Sequence, residues 1–204
     1  MLLPRVIINI GQPVNKQIQR LPNTCLRTLQ CLVVNIDKWT LRTGHAVAWL
    51  LTLMVAIQSL IVILRYGFEI GSIALQESVT YLHAACFMLG IAYTVKINGH
   101  VRVDIFYRQF SLQKKAAVNL FGAVVFLLPF CLFIFITSFE YVLQAWQFKE
   151  HSSDTGGLPI VYLLKTLIPL LATGLLFQCI SEIGKSILTL VGYPQHTQAE
   201  HSYD

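Results

Sequence analysis

Four stretches of the chain carry almost no charge, and their lengths set the architecture. Ala46 to Leu64 is a 19-residue run without a formal charge, and Ala116 to Phe139 is a 24-residue run equally free of it. About 20 apolar residues at 1.5 Å rise per residue cover a hydrocarbon core of about 30 Å, so both runs have the length of a transmembrane helix. Ser78 to Val95 spans 18 residues with one His, and Pro159 to Ser181 is interrupted only by Lys165. The pattern predicts an all-α membrane protein with four transmembrane helices, over about 46–64, 78–95, 116–139 and 159–181.

Two further segments alternate apolar and polar positions at helical spacing. Leu26, Leu29, Val33, Ile36 and Trp39 recur at three- and four-residue steps with Arg27 and Lys38 off that face. This segment reads either as a helix lying along the membrane interface or as an extension of the first span. The second segment, KINGHVRVDIFYRQFSLQKK from Lys96, opens on the Asn98-Gly99 turn signal. There Val103, Phe106, Tyr107 and Phe110 follow the i, i+3, i+4, i+7 pattern, which predicts an interfacial helix over about 101–113. Asp104 sits in its first turn, where a carboxylate suits the helix dipole. Its polar face, with Arg102 and Arg108, suits solvated charges or a docking surface.

Composition agrees with the pattern. Hydrophobic residues make up 55% of the 204 residues and charged residues 12%, against roughly a quarter charged in ordinary globular domains. Mean hydropathy is +0.61. A soluble domain of this size leaves nearly a third of its extended-chain surface exposed and could not hide so much apolar area. Five Cys show neither the density nor the paired spacing of a disulfide scaffold.

Charge adds a direction. Arg5, Lys16, Arg20, Arg27, Lys38 and Arg42 precede the first run, and Lys96, Arg102, Arg108, Lys114 and Lys115 lie between the second and third. The other two connections hold only Arg65 and Lys149. The basic excess marks the cytoplasmic side, so an N-in, C-in topology is expected. Basic loops facing anionic lipid headgroups account for the net charge of +5 without any nucleic-acid partner. Residues 1–43 lack a signal peptide's uninterrupted apolar core and cleavage site, and read as a retained cytoplasmic arm. Residues 44–185 form the membrane domain and 186–204 a cytoplasmic tail.

Candidate chemistry lies near the ends of the spans. Glu77 opens the second, Glu140 closes the third, and Lys165 stands six residues past Pro159, about 9 Å into the fourth helix. An ammonium at that depth either snorkels to the interface or pairs with Glu77 or Glu140. The connection KEHSSDTGGLP offers Gly156-Gly157 for a tight turn and Pro159 for the first position of the next helix. No catalytic, metal or cofactor site is expected. Haem needs two His ligands at one depth on facing helices; His83 has no partner at its level, and His45 and His100, which could meet at the cytoplasmic ends of the first two helices, adjoin interfacial sequence where an uncoordinated His is more usual. Cys86, Cys131 and Cys179 are isolated within spans and read as small buried hydrophobes. There is no phosphate-cradling GxxxxGK[ST] loop.

The run from Glu77 through Tyr81 and Phe87 to GIAYTVKINGHVRVDIFY resembles the signature stretch of the DctQ-like small membrane subunit of tripartite ATP-independent periplasmic (TRAP) transporters. The downstream EHSSDTGGLPIVYLLKT, with Glu150, Ser152, Gly156, Gly157, Pro159 and Lys165, is similar to a subgroup labelled for mannitol or chloroaromatic transport. The resemblance extends over about residues 40–185. It implies a bacterial inner-membrane subunit that braces the scaffold of a large, sodium-coupled elevator subunit, while a periplasmic solute-binding protein captures an organic acid. Under that resemblance Glu77, Lys165 and the 140–158 connection help form or dock the outer face, His100, Arg102 and Asp104 anchor the inner helix, and Asn98 and Glu140 are further candidate contact residues. Two other classes remain on the residues alone, a self-sufficient small exporter and a membrane-anchor redox subunit.

Overall fold

The computed structural model describes residues 23–100, 107 and 109–193, and among these all regular structure is helical. Four helices are long and apolar enough to cross a membrane. They are α1 (Asn23–Gly67), α2 (Ile73–Lys96), α3 (Leu112–Gln147) and α4 (Val161–Leu190). The connections 68–72 and 148–160 lie together at one end, the loop end; the N-terminus of α1 and the C-terminus of α4 lie together at the other, the terminal end.

The first helix is 45 residues long and runs through residues 43–44 without a break, so the amphipathic segment after residue 23 is the extension of the first span. Its packing follows a seven-residue repeat. Leu26, Val33, Thr40 and Val47 are buried at successive heptad positions, and Met54 and Ile61 continue the row half-buried. A strict seven-residue repeat is the signature of left-handed, knobs-into-holes packing. Trp39 falls off this seam and is 61% exposed, because Thr40 occupies the heptad position beside it.

The arrangement centres on α4, which packs against α1, α2 and α3, while α1 pairs with α2. It carries the largest set of buried residues of the four, among them Ala172, Leu175, Cys179, Gly184 and Leu188. Small residues admit the close crossings: a Cβ on Gly184 would collide with the Val33 side chain, and one on Gly44 would fall within 3.0 Å of three ring carbons of Tyr93. Gly44→Ala is therefore expected to destabilise the bundle by about 1–3 kcal/mol through overpacking. Unfolding in detergent micelles would read this, and Tyr93→Leu in the same chain should recover much of the loss.

Prolines shape two helices. In α3 a five-residue π turn, Ala123–Leu127, ends two residues before Pro129. Proline's ring and missing N–H cannot follow a regular α-helical turn, and the wider turn takes up the mismatch. The thiol of Cys179 donates to the Ala123 carbonyl at 3.5 Å, tying α4 to that turn. Pro169 lies inside α4. Pro159, by contrast, precedes the helix: α4 starts at Val161 with Ile160 as its N-cap, so Pro159 is not the first helical residue. The expected interfacial helix at 101–113 falls mostly outside the described residues, as do Arg102 and Asp104. Its last residues, from Leu112, belong to α3, whose N-cap Ser111 accepts from the Lys114 N–H at 3.4 Å.

Candidate functional site

At the loop end, the α3–α4 connection is shaped by its own backbone and then pinned by α2. Helix α3 closes in a Schellman motif: the Glu150 N–H donates to the Ala145 carbonyl at 3.0 Å and the Lys149 N–H to Trp146 at 3.3 Å, with Lys149 at φ 44°. That reversal carries the Glu150 carboxylate to the Lys165 ammonium. The ammonium also stands 4.1 Å from the centre of the Tyr141 ring. A turn from Asp154 to Gly157, with Gly156 at φ +86°, then directs the chain back toward α2. There the Glu77 carboxylate accepts from the Ser152 hydroxyl and, at 2.6 Å, from the Leu158 N–H. Gly157 lies against this junction, where a Cβ would fall within 3.0 Å of both Ser152 and the Glu77 carboxylate. The Trp146 indole N–H donates to the Thr166 hydroxyl at 2.9 Å, closing the base of the loop.

This corrects the expected pairing. Lys165 is paired with Glu150, neither with Glu77 nor with Glu140. Glu140 is exposed on α3, and no partner for it occurs among the described residues. Glu77 is used instead as a hydrogen-bond acceptor for the loop. Sequence spacing could not separate these alternatives, because the left-handed residue at 149 decides where the Glu150 side chain goes.

The terminal end holds a polar junction that residue patterns left unremarked. The Lys185 ammonium bridges Asp37 at 3.0 Å and Glu182 at 2.9 Å. Ser181 donates to the other Asp37 oxygen at 2.7 Å, and Lys96 donates to the Asp37 backbone carbonyl at 3.0 Å. Deeper in, the Gln178 amide donates to Glu182 at 3.3 Å and accepts from the Thr40 hydroxyl at 3.1 Å. Gln178 and Ser181 are fully buried. Each group is satisfied by another, which is the condition for keeping polar side chains in an apolar bundle. A signal for this junction was present: Gln178, Ser181, Glu182 and Lys185 occupy one face of α4 at i, i+3, i+4 and i+7, and Asp37 and Thr40 stand three apart on α1.

Asn98 and His100 belong to the same end. Helix α2 closes on Asn98 at φ 54°, with the Gly99 N–H donating to Thr94 at 2.9 Å. Both residues border a concavity of about 540 Å³ that also touches Lys115, Asn119, Glu182 and Lys185. On its wall the Tyr107 hydroxyl donates to Asn119 at 3.1 Å. Among the described residues no cluster of three His, Cys, Asp or Glu side chains could hold a metal ion. Cys86, Cys131 and Cys179 are buried, while Cys25 and Cys31 are exposed.

A family profile described as "Tripartite ATP-independent periplasmic transporters, DctQ component" matches residues 51–189. The chain belongs to the DctQ family. No curated protein and no solved structure matches it. The DctQ match covers the last part of α1 and all of α2 and α3, and reaches Thr189 in α4, so it includes the pinned loop and most of the terminal-end junction. Asp37 and Thr40 lie before the matched region, on the N-terminal part of α1, and reach across its boundary: Asp37 to Lys96, Ser181 and Lys185, and Thr40 to Gln178. As a DctQ-family chain with four membrane-length apolar helices, the protein is a multi-pass membrane component of a TRAP transporter.

Proposed function

We propose that this chain is the lateral brace of its transporter. It holds the scaffold of the large, sodium-coupled membrane subunit fixed in the inner membrane while that subunit moves an organic acid delivered by a periplasmic solute-binding protein. The observation that carries the reading is the segregation of charge. Inside the bundle, charged side chains gather at the loop end (Glu77, Lys165) and at the terminal end (Asp37, Lys96, Glu182, Lys185), and residues 43–64, 78–95, 116–139 and 166–181 carry none. Coupled translocation uses ionisable groups near the bilayer midplane, whereas a brace needs its charges only where helices are tied together.

In this reading both termini are cytoplasmic, in keeping with the basic excess before the first charge-free run and between the second and third, and the loop end is periplasmic. The pinned loop 148–160 then faces the binding protein and helps dock it. The test is reconstitution. The chain alone in proteoliposomes is expected to move no substrate, the large subunit with the binding protein to be weakly active, and all three to give full sodium-dependent uptake. Uptake by the chain alone would establish an exporter-like carrier in its place.

A further inference from the structure

The seam between α1 and α2 opens outward, near the loop-end half of the bundle, into a groove of about 470 Å³. Met54, Val55 and Val79 line it, together with four polar residues, Gln58, Ser59, Thr80 and His83. Gln58 stands nine residues before the end of α1 and His83 ten residues after the start of α2, so both lie about 14–15 Å along their helices from the loop end. They share one level, about 8–9 Å inside the outer edges of the charge-free runs 46–64 and 78–95.

The hydroxyls in this groove are satisfied within their own helices. Ser59 donates to the Val55 carbonyl at 2.9 Å and Thr80 to Gln76 at 3.4 Å. Gln58 and His83 are exposed, and among the described residues neither has a hydrogen-bond partner; the His83 ring only stacks on Phe87, 6.2 Å between centres. Lipid tails offer no donor or acceptor, and polar side chains in spans face protein or water. The outward face of α3 is of the opposite kind, with Phe126, Phe130, Phe133 and Ile136 exposed and Thr137 satisfied by the Phe133 carbonyl. That face suits acyl chains; the α1–α2 groove does not. Thr52, Ala56 and Ser59, exposed along one side of α1, are small enough for another backbone to come close.

We propose that the α1–α2 groove receives a transmembrane helix of the transporter's large membrane subunit, which presents hydrogen-bonding groups to Gln58 and His83 at their common depth. The proposal rests on the DctQ reading and assigns the face through which the brace acts. A helix supplies what the groove lacks: a rod that fits between two others, and polar groups held at a fixed level. The brace contacts its partner by α1 and α2 and turns α3 to the lipid.

The test uses the full chain, tagged and co-expressed with the large subunit and the binding protein. A benzophenone amino acid replaces Val55 in one variant and Phe133 in another. Irradiation is expected to join the large subunit to position 55 at least fivefold more than to position 133. In parallel, Gln58→Leu with His83→Leu should lower the amount of large subunit retained on the tag about tenfold, at about threefold per intramembrane hydrogen bond. The isolated variant should melt no lower than the unaltered chain, since leucine suits lipid at least as well. Unchanged retention, a dominant adduct at position 133, an adduct only with a second copy of this chain, or no protein adduct at 55 would each overturn the groove assignment while leaving the family reading intact. If the unaltered chain retains no large subunit at all, the brace reading itself fails, and this inference with it.

Discussion

Replacing Lys185 with Met is expected to destabilise the bundle by about 2–3 kcal/mol, just under the range for breaking a fully buried ion pair. Lys185 is the cation between Asp37 and Glu182, and without it two carboxylates from different helices share a confined space. The figure is kept low because the three side chains retain 20–27% of their exposure. The Lys96 ammonium, which donates to the Asp37 carbonyl, is also close enough to compensate in part. Asp37→Asn should have a smaller effect, because Glu182 still faces Lys185 and the amide can accept from Ser181. The triple change Asp37→Asn, Glu182→Gln, Lys185→Met removes the charges together and should recover most of the loss. Unfolding in mixed micelles would decide the matter: a triple variant as unstable as Lys185→Met would show that the junction matters for shape rather than for charge.

The second large effect is expected at the opposite end and on function more than on stability. Glu77→Ala removes the acceptor for both Ser152 and the Leu158 N–H, and with it the tie between α2 and the α3–α4 connection. Gly157→Val attacks the same junction from the other side, since its Cβ collides with both partners of that tie. Local opening is governed by such ties rather than by global stability, so protease cleavage within residues 148–160 should accelerate about tenfold in both variants while the helices stay intact. Ser152→Ala, which leaves the Leu158 contact, should fall between them and the unaltered chain. Under the proposed function, uptake driven by the binding protein falls in the same order, and the large subunit still co-purifies. Loss of the large subunit together with uptake would assign this loop to assembly instead of docking.

Much of this was legible in the residues, for reasons that differ from element to element. Spans such as Ala116–Phe139 announce themselves because the hydrocarbon core constrains composition and length over a contiguous run. The turn at Gly156-Gly157 and the helix end at Asn98 follow from which residues accept positive φ or a tight reversal. The charged loop end of the bundle was equally visible as Glu77 and Lys165 at the edges of their runs.

Pairing is another matter, because it depends on how four helices are rotated against one another. Trp39 and Thr40 are neighbours with similar claims to the first helix's inner face, and the heptad packing of α1 placed Thr40 against Gln178 and left Trp39 outside. Lys165 had two carboxylates within plausible reach and bonded a third, because a left-handed residue at 149 turned Glu150 toward it. Asp37 and Lys185, separated by most of the chain, meet only because α4 packs beside α1 along its N-terminal half. The sequence by itself therefore determined the number of membrane-length apolar helices and the family, since each is a sum over local residues. Only the tertiary structure decided which polar groups satisfy one another and which face is left with Gln58 and His83 unmet, since those outcomes are set by side-chain reach between elements distant in the chain.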